Sequence, residues 1–500
     1  MVAGRRWRAL LTDGPRRLRS ELALRRAAAL LRRSARFDAA WYRATYPDVA
    51  NAGLDPVRHY LRAGAAEGRD PGPRFSSGDY LARNSDVART GINPLLHYLR
   101  NGRAEGRAIE PTSPAYPATD LAPLHGFRTP QRDAPRVTLL TDSLAPGSLF
   151  GGVGTALLFV TLLAQRTGAE LRIVTETQPP DVEAAARLLR LHGVAPPMEM
   201  QVDFAERHRP ERRDIEVRDA DLFVSTAWWN TWNLLHAVAP RQVIHLLQDD
   251  ERMFYPHGDL HLLSNEVLAT PGLRFAVNTR LLHEHLTTNG LGHVARDGAW
   301  FEPAFPRDCY HWQERGQERG QERADAPRRF VFYARPNHPR SLYRRGLEVV
   351  SAAIERRILD PAQWRFTFVG RDLPEIELPR GVRPQRLENL AWADYAALVR
   401  QCDLGLCLMY TPHPSYPPLD LAASGAVAVT NRFGNKQSLA AYSDNILCVD
   451  STLDGLLEGL DAGARLAADL PTRRRNYAQS GLGRDWAAAF APVFDKLLAA

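Results

Sequence analysis

The stretch from Tyr410 to Asn431 holds the residues whose types and spacing are best suited to chemistry. A short apolar run over 402–409 precedes its loop, and a segment of small residues closed by Gly425 leads into a second apolar run over 426–430. Strand, loop, short helix, glycine and strand are the parts of a parallel βαβ unit. Four prolines stiffen the loop where the chain enters the helix, and proline suits a first helical turn.

The start of this helix is predicted to bind an anion and a sugar. We expect the backbone amides of Ser415, Tyr416 and Leu419 to point at a ligand, with the positive end of the helix dipole behind them. Asp420 lies about one turn inside the helix, where a carboxylate reaches a pair of ribose hydroxyls. The stretch therefore predicts a rigid nucleotide site at the carboxyl end of a strand.

The segment 415–425 resembles the donor-nucleotide motif of GT-B-fold retaining glycosyltransferases. That motif has two glutamates, and Asp420 occupies the position of the second whereas Pro412 occupies the first. The string from His413 to Pro418 is similar to the variant found in bacterial rhamnosyltransferases that use a nucleotide-rhamnose donor, and it assigns His413 to the sugar cleft. The resemblance implies an α/β fold with two Rossmann-like domains facing a cleft. It also implies transfer of a hexose from a nucleotide-sugar to a saccharide or lipid-linked glycan, with retention of configuration.

The resemblance further assigns the donor diphosphate to two arginines. The family has an Arg after the first strand of its second domain, which Arg335 matches, and a Lys later in the chain, which Arg345 replaces. Guanidinium forks suit phosphate oxygens, although a surface salt bridge is the alternative for each residue. Family members hold the nucleobase at the segment that here contains Asn389 and Leu390. With arginines on the leaving group, no metal and no cofactor are expected.

Residues 135–307 are predicted to form the first Rossmann-like domain, which binds the acceptor. A buried strand over 137–141 leads into a glycine-rich turn, and such a turn exposes backbone amides to phosphate. The glycines of this turn are Gly151, Gly152 and Gly154. The resemblance places them at the cleft between the domains.

The same turn admits a dinucleotide interpretation. Glu176 follows the turn at about the sequence separation where dinucleotide-binding folds have the acidic residue that binds a ribose hydroxyl. The third glycine of that fingerprint falls on Leu157, however, and residues 147–150 lengthen the turn. The pattern therefore favours a cleft loop over an NAD site.

Aromatic residues follow the predicted strand at 221–225. Trp228 and Trp229 are suited to stacking on sugar faces, and they are equally suited to wedging a helix into the core. We expect one tryptophan of the segment 228–232 to reach the cleft.

A polar cluster follows the predicted strand at 242–247, and open α/β sheets bind ligands at this edge. Gln248, Asp249 and Glu251 match a Gln-Asp-x-Glu string of the resembled rhamnosyltransferases. The resemblance implies contacts with the acceptor or the donor sugar and makes Asp249 a catalytic candidate. A solvated loop is the alternative for each of the three.

The charge of the chain is unevenly placed. Residues 1–36 hold eleven of the arginines, so the rest of the chain is close to neutral although the net charge is +7. This balance argues against nucleic-acid binding. An interfacial helix on an anionic membrane and a solvated terminus explain the basic segment equally well. Four cysteines and no long apolar stretch suit a cytoplasmic protein, free or peripheral on the inner membrane face.

Residues 37–107 contain two copies of a 38-residue repeat. Each copy predicts two short helices, of which the second begins at an Asx-Pro pair and ends at a glycine. Two copies are few for a solenoid, so we expect a small helical appendage. A packed or capping role is favoured over ligand binding for the repeated histidines. The caps are Asp55 and Asn93, the glycines are Gly64 and Gly102, and the histidines are His59 and His97.

The remaining boundaries follow from composition. A proline-rich linker is predicted over 108–134, a low-complexity spacer over 308–327, the donor-nucleotide domain over 328–475, and a helix that crosses back to the first domain over 476–500. Two rival functions remain open. A sugar-nucleotide epimerase or phosphorylase shares the fold, and an inactive scaffold in a polysaccharide assembly complex is compatible with the missing first carboxylate.

Overall fold

The computed structural model describes residues 21–105, 107, 121–128 and 134–499, apart from 22, 35, 73, 74, 146, 147, 150, 210, 211 and 314–326. The chain divides into two compact units, Met1–Tyr116 and Pro117–Ala500. The segment 1–20, most of the predicted linker and most of the predicted spacer lie outside the described residues. The expected interfacial helix therefore stays a prediction.

The first unit contains the two repeats. Its helices are α1 (Ala39–Thr45), α2 (Pro47–Asn51), α3 (Pro56–His59), α4 (Ser77–Arg83), α5 (Ser85–Thr90) and α6 (Pro94–His97). The π-helical turns Tyr60–Gly64 and Tyr98–Gly102 continue α3 and α6. The side chains of Asp55 and Asn93 accept hydrogen bonds from the amides of Arg58 at 2.9 Å and Leu96 at 3.0 Å. The predicted starts and ends of the second helices are confirmed.

The repeated histidines pack inside the repeats. The Tyr42 hydroxyl lies 3.1 Å from His59 Nδ1, and the Tyr80 hydroxyl lies 2.9 Å from His97 Nδ1. A Cβ added at Gly64 would lie 2.1 Å from the Tyr42 hydroxyl, and the equivalent clash in the second copy is 2.3 Å. The 38-residue period is therefore a packing motif, in which glycine makes room for a tyrosine–histidine pair.

The second unit begins with an α/β domain. Within the described residues, seven parallel strands form a sheet in the order β4-β3-β2-β6-β7-β8-β9. The strands are β2 (Arg136–Thr141), β3 (Glu170–Thr175), β4 (Gln201–Phe204), β6 (Leu222–Ser225), β7 (Val243–Leu247), β8 (Arg274–Asn278) and β9 (Gly298–Phe301). The helices are α7 (Gly152–Thr167), α8 (Val182–Leu191), α9 (Trp228–Leu234), α10 (Asp259–Leu268), α11 (Arg280–Thr288) and α12 (Val294–Asp297). The central strands are fully buried because helices cover both faces of the sheet.

A second α/β domain follows. Six parallel strands among the described residues form a sheet in the order β12-β11-β10-β13-β14-β15. The strands are β10 (Arg328–Ala334), β11 (Trp364–Gly370), β12 (Gln385–Glu388), β13 (Leu404–Leu406), β14 (Val427–Asn431) and β15 (Ile446–Val449). The helices are α13 (Tyr343–Glu355), α14 (Trp392–Arg400), α15 (Tyr416–Ala423), α16 (Leu453–Ala468), α17 (Leu470–Ala478) and α18 (Trp486–Ala499). The predicted βαβ unit is formed by β13, α15 and β14, and Gly425 closes its helix with a φ of 81°.

The last helix, α18, packs on the first domain. Phe490 of α18 lies edge-on to Phe159 of α7 at 5.1 Å and to Phe301 of β9 at 4.8 Å between ring centroids. The chain thus crosses back from the second domain to the first. The predicted fold class, α/β with two Rossmann-like domains preceded by a helical region, is confirmed.

Part of the predicted proline-rich linker belongs to the first α/β domain. Strand β1 (His125–Phe127) pairs in parallel with β5 (Asp214–Glu216), and Leu124 is fully buried. Backbone pairing with a distant strand is not visible in the local sequence, which holds prolines without periodicity. Within the part of the chain that is described, no helix is long and apolar enough to cross a membrane.

Candidate functional site

A cavity of about 430 Å³ lies where the carboxyl ends of the two sheets face each other. The first domain contributes Ser148, Gly151, Gly152, Gln248 and Asp249 to its lining. The second domain contributes, among others, Arg335, Arg371, Asn389, Leu390, His413, Ser415, Tyr416 and Asp420. Most of the residues predicted from the sequence therefore meet at one place. A separate cavity of about 630 Å³ between β9 and α18 contains none of them.

The amides at the start of α15 are less available than the sequence suggests. The Ser415 amide donates to Nδ1 of His413 at 2.9 Å, so it is not free for a ligand. Leu419 is fully buried in the core and does not line the cavity. The Tyr416 hydroxyl hydrogen-bonds to the first domain, at 2.5 Å from Thr155 Oγ1 and 2.9 Å from Asn278 Nδ2. The helix start is thus fixed to the opposite wall of the cleft.

His413 presents a neutral hydrogen-bond donor to the cavity. Because Nδ1 accepts the Ser415 amide, the ring proton is on Nε2. Burial lowers the pKa of His413 to about 3, and the charges of Lys436 and Arg340 act in the same direction. Only 5% of the residue is exposed, and Nε2 is buried with no partner among the described residues. A buried donor without a partner is costly, so a ligand that accepts from it gains free energy.

Asp420 lies at the cavity wall but is not a bare carboxylate. Burial raises its pKa to about 8, and hydrogen bonds from the Tyr310 and Tyr395 hydroxyls reduce that rise. The Tyr310 hydroxyl in turn accepts from Trp392 Nε1 at 2.9 Å. These tyrosines, which come from the domain junction and from α14, were not predicted from the sequence.

The two predicted diphosphate arginines differ in position. Arg335 lines the cavity and hydrogen-bonds with Tyr333, and it forms no ion pair within the described residues. Arg345 is not part of the cavity lining; it is 41% exposed and pairs with Glu348 at 3.0 Å. The structure brings Arg335 to the cleft and leaves Arg345 on the surface of α13.

Arg340 is a cleft residue that the sequence did not indicate. It forms an ion pair with Asp249 across the two domains, and its guanidinium lies 4.1 Å from the ring centroid of Phe254. Its Nη2 donates to Nε2 of His338 at 3.0 Å. The available signal was its place in the loop after β10, five positions beyond Arg335.

Two more cationic side chains, those of Arg371 and Lys436, were not predicted from the sequence. Arg371 follows β11 and lines the cavity. Lys436 is fully buried, and its Nζ donates to the carbonyls of Met409 at 2.8 Å and His413 at 3.3 Å. Burial lowers the pKa of Lys436 to about 8. Lys436 follows β14 as Arg371 follows β11. Their positions after the carboxyl ends of strands would have indicated both residues from the sequence.

The glycine turn of the first domain shapes the opposite wall. Gln248 Nε2 donates to the Gly152 carbonyl at 2.5 Å, and Gln248 Oε1 is buried with no partner among the described residues. A Cβ at Gly154 would lie 2.8 Å from both the Leu149 carbonyl and the Trp392 ring. Gly154 is therefore required by the close approach of the two domains, and it does not itself line the cavity.

The predicted aromatic residues are not in the cavity. Trp228 is fully buried and donates from Nε1 to the Tyr255 hydroxyl at 3.0 Å, while Trp229 donates to the Asp142 carboxylate. Trp232 packs against His236 instead, with 4.1 Å between ring centroids and 54° between the ring planes. The tryptophans pack and orient α9, so none of the three lines the cavity.

Glu251 and Glu176 belong to buried networks. Glu251 accepts the Trp228 amide at 2.5 Å and lies 3.3 Å from His245 Nε2, outside the cavity lining. Glu176 is fully buried and pairs with Arg207 at 3.0 Å and Arg213 at 2.6 Å. A ribose has no access to that carboxylate, which disagrees with the dinucleotide interpretation.

The adjacent carboxylates after β7 diverge. Asp249 faces the cavity, whereas Asp250 pairs with Arg252 at 2.8 Å and His285 at 3.1 Å. Those partners lower the pKa of Asp250 to about 2 although burial opposes them. In the described part of the chain, no group of three His, Cys, Asp or Glu residues is placed to hold a metal ion.

Two parallel-sheet domains that share a cleft, with a last helix returning to the first domain, define the GT-B class of fold. Family models agree with this division: the model for the N-terminal domain of WsaF matches residues 136–278, and the model for its C-terminal domain matches 328–461. Together they match more than half of the chain, which therefore belongs to the WsaF family.

One relative is the O-antigen biosynthesis protein RfbC of Myxococcus xanthus, 30% identical over 359 residues. The matched region covers 70% of this chain and 26% of that protein, so the chain spans about a quarter of its relative's length. Solved structures include Anabaena Alr3699/HepE in complex with UDP and glucose, with a TM-score of 0.49 and 13% identity. Another is WaaG, a glycosyltransferase involved in lipopolysaccharide biosynthesis, with a TM-score of 0.49 and 12% identity. Each of these two structural matches covers 73% of this chain and 100% of the solved chain.

Proposed function

We propose that the protein is a glycosyltransferase that transfers a hexose from a nucleotide-diphosphate donor to a saccharide or lipid-linked glycan acceptor. The observation that carries the proposal is the composition of the cleft. Arg335 and Arg371 line it without an ion pair among the described residues, and Ser415, Tyr416 and Asp420 line the same cavity. Cations for the diphosphate and a carboxyl group for the ribose hydroxyls are what a nucleoside diphosphate requires.

The donor sugar is L-rhamnose, carried by a nucleotide such as dTDP. The His413–Pro418 string and membership of the WsaF family support this choice. His413 supplies a neutral donor suited to a sugar oxygen, and Asn389 and Leu390 line the cavity where the nucleobase is expected. The product is a bacterial surface polysaccharide, in line with the O-antigen biosynthesis named for the relative RfbC.

The reaction retains the anomeric configuration and needs no metal. The bond between the anomeric carbon and the donor phosphate oxygen breaks as the acceptor oxygen attacks from the same face, and the departing phosphate takes the acceptor proton. Arg335 and Arg371 stabilise the charge that grows on the diphosphate, which is a task for preorganised electrostatics. The basic segment 1–36 brings the protein to the anionic inner face of the cytoplasmic membrane.

A donor screen tests the proposal. Purified protein is offered dTDP-rhamnose, UDP-glucose and other nucleotide-sugars with short saccharide acceptors, and release of the nucleoside diphosphate is measured. We expect turnover with a nucleotide-rhamnose and full activity in EDTA. If the folded protein binds no nucleotide, it is an inactive scaffold. If EDTA abolishes activity and Mg²⁺ restores it, the metal-free mechanism is wrong.

A further inference from the structure

Trp392 is a residue of the second domain that packs into the first. It begins α14, and its ring lies edge-on to His192, which follows α8 of the first domain, with 4.6 Å between ring centroids. His192 Nδ1 accepts a hydrogen bond from Nε1 of Trp486, at the start of α18, at 3.0 Å. Gly154 leaves room for the Trp392 ring, since a Cβ there would lie 2.8 Å from it. The first domain and the returning helix therefore fix the position of this indole.

The indole of Trp392 determines the direction in which the Tyr310 hydroxyl donates. Nε1 of Trp392 is a donor only, and it donates to the Tyr310 oxygen at 2.9 Å. The Tyr310 hydroxyl keeps its single proton for another acceptor, and its other partner is the Asp420 carboxyl. Tyr395, also on α14, donates a second hydrogen bond to Asp420. Hydrogen bonds that a carboxylate accepts favour its charged form, so both tyrosines help Asp420 to ionise.

The surroundings of Asp420 supply no other help for its charge. The titratable groups that interact with Asp420 come from the domain junction, β10, α14, the end of β13 and α15; they are Cys309, Tyr310, Tyr333, Tyr395, Cys407 and Tyr416. Burial raises the pKa of each of these thiols and phenols, so they stay neutral where Asp420 titrates. Arg335 and Arg371 line the same cavity and keep their charge throughout this range. The pH dependence of the cluster is therefore that of Asp420.

We propose that Tyr310 and Trp392 are positioning residues for the nucleotide, because they keep Asp420 ready to accept hydrogen bonds from the ribose hydroxyls of the donor. All three side chains line the same cavity. Trp392 is held by the first domain, so the ribose site of the second domain is complete only when the two domains are packed together. This inference rests on the proposed nucleotide-sugar donor.

Calorimetry of nucleoside diphosphate binding between about pH 6 and about pH 10 tests the inference, with dTDP and UDP as probes. Tyr310→Phe keeps the ring and removes the proton that Asp420 accepts. The pH at which affinity stops rising should increase by about one unit, and affinity at about pH 7 should fall by about tenfold. At about pH 10 this variant and wild type should bind within about twofold of each other, because Asp420 is then ionised in both.

Trp392→Phe tests the link to the first domain. It keeps an aromatic ring but removes the donor to Tyr310, so affinity at about pH 7 should fall by about threefold and recover at high pH. In the double variant with Tyr310→Phe, the second substitution should add no further shift, because Trp392 acts on Asp420 through Tyr310. Each affinity is divided by that of wild type at the same pH, so protonation of the nucleotide cancels.

Tyr343→Phe is the matched control. The Tyr343 hydroxyl is buried without a partner among the described residues, and its ring stacks on Phe332 outside the cavity lining. Its removal should leave affinity unchanged at every pH. Thermal melting establishes that each variant is folded, and if Tyr310→Phe or Trp392→Phe is not folded, the pH profile of the other decides.

The outcomes separate the inference from the proposed function. If wild type binds neither dTDP nor UDP, the nucleotide function fails and the inference with it. If wild type binds one of them and Tyr310→Phe binds equally well at every pH, the inference alone is wrong. A loss of affinity that is the same at every pH also overturns it, because the side chain then contacts the ligand directly or supports only the fold.

Discussion

The network behind the first-domain wall and the lining of the second-domain wall treat polar side chains differently, although Gln248 Oε1 on the first-domain wall also lacks a partner among the described residues. Behind the first-domain wall, the buried Glu176 and Arg207 and the partly exposed Asp142 form a network with asparagines of α9. In the second-domain wall, Arg335 has no carboxylate partner among the described residues, and Nε2 of His413 has no partner there. Both groups follow strand ends, where α/β sheets bind ligands. Position alone therefore does not distinguish a binding residue from a structural one.

The difference lies in whether the protein satisfies its own polar groups. A satisfied network fixes strand ends and helices, so removing one member should cost stability. An unsatisfied group is held ready for a ligand, so removing it should cost binding or turnover while leaving the fold intact. Variants on the two walls should consequently separate into stability losses and activity losses.

The largest effect is expected for Glu176→Gln on the first-domain wall. Loss of this charge leaves Arg207 and Arg213 buried without their common carboxylate, at a cost of about 3 kcal/mol in the free energy of unfolding. Urea denaturation measures the change. The control is Glu183→Gln, whose pair with Arg187 is exposed and should shift stability by less than about 0.5 kcal/mol. Equal stabilities would show that the network does not support the fold.

On the second-domain wall, Arg335→Ala should lose activity without losing stability. A charge-assisted contact contributes about 1.5–3 kcal/mol, which corresponds to roughly 10–150-fold in kcat/KM. Arg345→Ala is the matched control, because Arg345 lies exposed on α13 and pairs with Glu348. Steady-state kinetics with the donor identified in the screen measures both. A larger loss for Arg345 than for Arg335 would reverse their assignment.

The sequence identified the second wall better than the first. The prolines, the small residues and Gly425 indicated β13, α15 and β14, and the resemblance to known motifs led to Arg335 and Asp420. These features are local in the chain. Trp228 and Glu251 satisfy the same local criteria, but tertiary packing directs them inward.

Residues that act through long-range contacts were not predictable. Tyr310 approaches Asp420 from the domain junction, and Arg340 meets Asp249 only because the two domains face each other. Strands β4 and β9 lie at the two edges of their sheet and contain only four residues each, so their own sequences carry little signal. Such elements are defined by their neighbours rather than by their own sequence.

Asp420 tests how a buried carboxyl on the second wall binds a ribose. Its pKa of about 8 means that it is largely protonated at neutral pH. If two ribose hydroxyls donate to the carboxylate, affinity for the nucleoside diphosphate should rise with pH up to about 8, whereas Asp420→Asn should lack this increase. At pH 8 the variant should bind about tenfold more weakly. The measured quantity is the ratio of the wild-type affinity to the Asp420→Asn affinity at each pH. Protonation of the nucleotide affects both proteins equally and therefore cancels in this ratio.

The same residue makes a prediction about stability. The pKa of the carboxyl is near its ordinary value of 3.8 in the unfolded state and about 8 in the folded state, so the folded state binds more protons between these values. Wild-type stability should therefore fall relative to Asp420→Asn as pH rises from about 4 to about 8. The exposed Asp394→Asn is the control and should show no such trend. A pH-independent difference would mean that the pKa of Asp420 is not raised.

The smallest effect is expected for removal of the repeats. A protein that begins at Pro117 lacks the first compact unit and should release nucleoside diphosphate from the donor as fast as the full chain, within about twofold, because none of the described residues before Ser148 lines the cavity. A protein that begins at residue 129 is the informative comparison. It also lacks Leu124, whose amide donates to the Asn233 carbonyl at 3.1 Å, and β1, whose His125 amide donates to the Arg213 carbonyl at 2.9 Å. Since Arg213 and Asn233 hold Glu176, this second truncation should destabilise the first-domain wall in the same way as Glu176→Gln. Thermal melting of both truncated proteins measures the difference. A loss of donor turnover in the protein that begins at Pro117 would assign the repeats to the catalytic unit.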